Sequence, residues 1–208
     1  MGNHFLCSVP MEQQHDSQSI KQTLKLHAAI LLFFLTAFFV QEIADSFLGG
    51  ALNQYGIRPR TMDGLYGIVY APFLHGDFAH LIGNTLPFVV LGWLILLEGV
   101  GHFFVVYLIS SVVAGLGTWI VGAGNSVHIG ASGVIFGFLG YLLLSGFFQR
   151  SLRSILVSVA VGALYGGLLF GVLPGQPGIS WEGHLFGFIG GVLAARVYRK
   201  KRAHAEAQ

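Results

Sequence analysis

Residues 103–121 read FFVVYLISSVVAGLGTWIV, without one charged side chain. A hydrocarbon core ~30 Å thick takes roughly 20 helical residues, so this stretch has the length and composition of a membrane crossing. In lipid the backbone must close its own hydrogen bonds, which a single stretch achieves as an α-helix. The strands of a barrel would alternate apolar and polar residues, and this run does not.

Five more apolar runs flank it, at about 26–44, 81–97, 132–148, 154–173 and 183–198. Composition agrees: charged residues are 10% of the 208 and mean hydropathy is +0.70. A soluble domain carries about one quarter charged residues. That excludes an ordinary cytosolic enzyme, a nucleic-acid binder and a disordered chain. The 30 glycines and 18 phenylalanines suit helices packed closely in lipid. The expected fold is an all-α integral membrane protein of six helices, one domain over residues 24–198. A polar tail (1–23) and a short basic tail (199–208) flank it. The first tail lacks the basic start and short apolar core of a cleavable signal. The lone Cys7 has no partner for an internal disulfide. The long connection, 46–79, holds Tyr66, Tyr70, Phe73 and Phe78, as expected of a segment lying in the interface.

Orientation is read from Lys and Arg. With both termini in the cytoplasm, the inner segments hold Lys21, Lys25, Arg150, Arg153, Arg196, Arg199, Lys200, Lys201 and Arg202, and the outer ones only Arg58 and Arg60. The cluster 199–202 reads as a stop signal that touches anionic lipid rather than as a nucleic-acid patch.

Ionisable groups at a span are costly, and their default reading is functional. His80 and Asn84 are four apart and share a face at the start of the second run, with His75 just before it. Gly130-Ala131-Ser132-Gly133 opens the fourth run; Ser is a helix cap there, and the same backbone N–H groups can stabilise an oxyanion. That run is roughly 25 Å long at 1.5 Å per residue, which lets Ser132 sit below the outer surface. His184 opens the sixth run beside a stripe of Gly183, Gly187 and Gly191; Gly133, Gly137 and Gly140 form a matching small face. Runs 2, 4 and 6 all travel from outside to inside, so His80, Asn84, Ser132 and His184 are expected at one depth.

Ser needs a base to act as a nucleophile, and His184 can take its proton and return it to a leaving amine. Glu182 is read as exposed at the helix start, which leaves a dyad. The Ser132 N–H, the Asn84 amide and the His80 imidazole can face an oxyanion. Phe136, one turn after Ser132, can pack on His184. For each residue taken singly, a structural role (a cap, an interfacial hydrogen bond, a core contact) competes with these.

The ordered set of His75, His80 and Asn84, then Gly130 to Gly133, then Gly183-His184 to Gly187, resembles the rhomboid family of intramembrane serine proteases, over residues 66–198. The resemblance implies Ser132 as nucleophile, His184 as general base, Gly130 as the turn before the nucleophile, His80 and Asn84 at the oxyanion, and His75 supporting the first loop. It also implies transmembrane protein substrates, no metal and no cofactor, with the fifth helix and residues 174–181 as the gate. A bacterial plasma membrane is the expected location. Two departures stand out: the first loop has no Trp-Arg pair, and Phe136 stands where some members carry Tyr.

Rival readings remain. A zinc protease would need His-Glu-x-x-His, which is absent, although His75, His80 and His184 are three imidazoles. An aspartyl protease would need two carboxylates inside spans. A helix-binding protein without catalysis, or a small transporter, would also use a glycine-rich bundle with a polar pocket. Substrate identity and oligomeric state are not readable.

Overall fold

The computed structural model describes residues 11–176 and 178–205. Residues 1–10, with Cys7, the last three residues and the side chains of Lys200, Lys201 and Arg202 lie outside what is described. The protein is an all-α, multi-pass membrane bundle. Its helices are α1 (Met11–Phe47), a single turn α2 (Gly67–Tyr70), α3 (Phe78–Leu96), α4 (Val100–Val121), α5 (Ser132–Gln149), α6 (Leu152–Tyr165) and α7 (Trp181–Ala205). Among the described residues five stretches are long and apolar enough to cross a bilayer: Gln18–Phe47, α3, α4, α5 and Leu152–Val172.

Helix ends follow local chemistry. Asp77 in extended conformation caps α3, its carboxylate accepting from the His80 N–H at 2.7 Å. Ser151 and Ser154 form a capping box that starts α6. Gly99, at φ 140°, makes the tight turn from α3 to α4. Two elements depart from the expected runs. Helix α1 begins well before residue 26, because its polar first turns continue the helix beyond the apolar stretch. The fifth run is α-helical only to Tyr165; Gly166–Val172 tightens into a 3-10 helix, where glycine is dense.

The core is aromatic. Phe34, Phe38, Phe88, Phe103 and Phe138 meet edge-on or tilted at centroid distances of 5.2–6.4 Å, joining α1, α3, α4 and α5. Phe73 corrects the expectation of an interfacial ring. It is turned inward, stacked 6.2 Å from Phe34 at 9°, while Tyr66 and Tyr70 remain exposed. Helix α5 is the central element, and α7 packs against it and α4.

Close approach of α5 and α7 depends on missing side chains. A Cβ at Gly187 would run into the Gly133 carbonyl, one at Gly191 into the Gly137 carbonyl, and one at Gly140 into the Phe188 carbonyl. The two small stripes therefore face each other, backbone to backbone. That contact seats the start of α7 beside the start of α5. Polar residues within α7 (Glu182, His184, Arg196) set it apart in composition from the five apolar helices.

Candidate active site

A cavity of about 940 Å³ opens where the starts of α3, α5 and α7 meet. His80, Asn84, Ser132, Phe136 and His184 all line it, with Asp77, His128, Gly171, Ser180, Trp181 and Glu182. Four polar residues from three non-adjacent helices therefore share one hollow.

Ser132 is the first residue of α5 and not its cap: Ala131 takes the N-cap position, without a side-chain cap bond, so the Ser132 hydroxyl is not spent on the helix start. The preceding Gly130 has φ 116°, a left-handed conformation that disfavours any side chain, and its N–H donates to the Ala71 carbonyl at 2.8 Å. A Cβ there would lie 2.9 Å from His80 Nε2 and 3.7 Å from Ser132 Oγ. Gly130 thus leaves room for an imidazole and a hydroxyl on the same side of the turn.

His184 is 8% exposed, its ring flat against Phe136, with centroids 4.0 Å apart and planes 8° apart. Its Nδ1 lies 2.9 Å from the Gly171 carbonyl. A carbonyl only accepts, so Nδ1 carries a proton, and in the neutral ring Nε2 keeps the lone pair. Gly171 has no space for a side chain: a Cβ would meet Phe136 and His184 Nδ1 at 2.9 and 3.1 Å. Among the described residues Ser132 and His184 share the cavity without a hydrogen bond between them.

Asn84 is buried, with Nδ2 unpartnered among the described residues. His75 lies behind the cavity wall. It is fully buried, edge-on to Phe38 and to His80 at 5.5 and 5.3 Å, with Nδ1 on the Phe73 carbonyl. Burial, with the nearby His80, pushes its pKa down from 6.5 to about 4. Among the described residues no group of three His, Cys, Asp or Glu side chains comes together as a metal site.

A family model described as the Rhomboid domain matches residues 63–201, two thirds of the chain. The chain belongs to the rhomboid family. It is 42% identical over 185 residues to an uncharacterized protein of Mycobacterium tuberculosis, covering 83% of this chain and 77% of that protein. It is 31% identical over 184 residues to YdcA of Bacillus subtilis, covering 86% and 87%. Rhomboid protease GluP of the same organism is 33% identical over 135 residues, 64% of this chain but 26% of that longer protein.

The rhomboid cavity holds features that sequence reasoning missed. Glu182 is 7% exposed, a correction of its reading as a solvent-facing residue: the helix start that carries it is folded into the cavity wall. The carbonyl that holds His184 comes from Gly171, which no side-chain pattern could flag. His128 and Ser180, joined at 2.7 Å, were visible only as polar residues beside two runs.

Proposed function

We propose that this rhomboid-family protein is an intramembrane serine protease, hydrolysing peptide bonds in or near the transmembrane segments of other membrane proteins. The observation that supports the reading is the state of His184: its ring is stacked on Phe136 and its Nδ1–H is held by Gly171, which leaves Nε2 as the basic nitrogen of a ring lining the same cavity as Ser132. In this mechanism Nε2 takes the Ser132 proton as Oγ attacks the scissile carbonyl, then returns it to the departing amine. A backbone carbonyl does the orienting that a carboxylate does in a triad.

The tetrahedral oxygen needs donors. His80 supplies its ring and the start of α5 its N–H groups. Asn84 supplies its amide, and turning that amide over moves its NH₂ from an unpartnered burial into the cavity. His75 braces His80 from behind. On this reading α7 is the sixth span, both termini are cytoplasmic by the positive-inside rule, and the site opens near the outer leaflet of a bacterial plasma membrane. The substrate enters past α6 and residues 174–181. No metal or cofactor takes part.

The test is fluorophosphonate labelling together with cleavage of a reconstituted model transmembrane substrate. Ser132→Ala abolishes both, and His184→Ala reduces labelling strongly. Equal labelling of wild type and Ser132→Ala, with no cleavage by either, overturns the reading in favour of a non-catalytic helix binder.

A further inference from the structure

His128 lies in the link between α4 and α5, four residues before Ser132, and both of its ring nitrogens are engaged. Nε2 is 2.7 Å from Ser126 Oγ, and Nδ1 is 2.7 Å from Ser180 Oγ, 52 residues away in sequence. The proton positions follow from the partners. Ser126 donates its hydroxyl to the Ala123 carbonyl at 2.6 Å, so its oxygen accepts from Nε2–H. Nδ1 is then the lone-pair nitrogen, and the Ser180 hydroxyl donates to it. Burial lowers the His128 pKa, opposed by the charge of Glu182, and favours this neutral ring.

Ser180 immediately precedes α7. Its Oγ accepts from the Gly183 N–H at 3.3 Å, and its carbonyl accepts from the His184 N–H at 3.1 Å. It therefore caps the helix that carries His184. His128 is fixed in turn by two 2.9 Å backbone bonds exchanged with Ile57 of the first loop. One imidazole spans the gap between the segment that delivers Ser132 and the cap that delivers His184.

We propose that His128 is a positioning residue: by holding the capping Ser180 through Nδ1, it sets the separation and angle between Ser132 and His184. The inference rests on the dyad reading above. A displacement of about 1 Å between reacting groups costs on the order of 10²-fold in rate, so a clamp at this point acts on kcat rather than on substrate binding.

The experiment uses the full chain, with cleavage of a model transmembrane substrate and amide hydrogen exchange over residues 181–187. His128→Phe and Ser180→Ala each lower kcat by ~10–100-fold, leave KM within about twofold and speed exchange at the start of α7. Both variants break the shared contact, and Ser180→Ala also removes the cap on the Gly183 N–H, so the double variant loses no more than Ser180→Ala alone and clearly less than the sum of the two. The Asn amide sits as far from Cβ as Nδ1, and the Gln amide as far as Nε2. His128→Asn therefore recovers kcat to within a few-fold, and His128→Gln does not. Ser180→Ala reads the same contact should His128→Phe fold poorly. Unchanged kcat in both single variants, or additive losses in the double, overturns the clamp while wild-type cleavage leaves the protease reading standing. Absence of wild-type cleavage sinks the protease reading; faster exchange in both variants then still supports the clamp, and unchanged exchange overturns it.

Discussion

The ring of Phe136 lies parallel to that of His184, one turn along α5 from Ser132, so the helix that presents the hydroxyl also holds the imidazole. A stacked aromatic pair is worth ~0.5–1.5 kcal/mol. Phe136→Ala is expected to lower kcat about 2–10-fold with little change in KM. Phe136→Tyr keeps the stack and the rate. Steady-state cleavage of a model substrate reads the difference, and a Phe136→Ala enzyme at full rate removes the ring-holding role.

Asn84 is expected to act on the transition state alone. Loss of one oxyanion donor typically costs ~10²–10³ in kcat. Asn84→Ala should show a fall of that order with KM nearly unchanged. A rise in KM at constant kcat would assign Asn84 to substrate binding instead.

Gly187 sits on the Gly133 carbonyl, and backbone has no way to yield. Gly187→Val forces α5 and α7 apart, at about 1–3 kcal/mol or more for overpacking. A lowered Tm of the detergent-solubilised protein, with labelling of Ser132 lost in parallel, is the expected outcome. Gly83, which has open space around the position of a Cβ, is the control: Gly83→Ala keeps its Tm.

His75 ties stability to pH. Above pH 6.5 its ring is neutral folded or unfolded, so it adds no dependence. As pH falls through 6.5 the unfolded chain takes a proton that the buried ring refuses, and stability declines until about pH 4, where the folded ring is also protonated. The full effect is roughly 3 kcal/mol. His75→Gln cannot titrate, so its Tm should fall less than that of wild type between pH 6.5 and 4. Parallel Tm curves would show that His75 is not the titrating group.

Much of this arrangement was legible in the sequence because lipid enforces simple rules. Apolar runs had to be helices, and glycines four apart had to mark close contact, as Gly133 with Gly187 does. His80, Asn84, Ser132 and His184 were visible because polar groups at span ends are conspicuous. What escaped was set by tertiary packing. The burial of Glu182 depends on the start of α7 being packed into the cavity wall, and the inward turn of Phe73 on the aromatic cluster of α1. Gly171 acts through its backbone, and a carbonyl leaves no trace in residue identity. The His128–Ser180 pair joins segments whose adjacency no local pattern records.

The acceptor for His184 has a further meaning. Gly171 belongs to the 3-10 segment after α6, and the stretch from Leu152 to Val172 is scarcely sheltered by the rest of the protein. The part of the wall least covered by the rest of the protein is thus also the part that supplies the acceptor for the His184 ring. Under the proposed mechanism, parting that wall from α7 would take the acceptor away and free the imidazole to change tautomer, which couples access to the cavity with the readiness of the base.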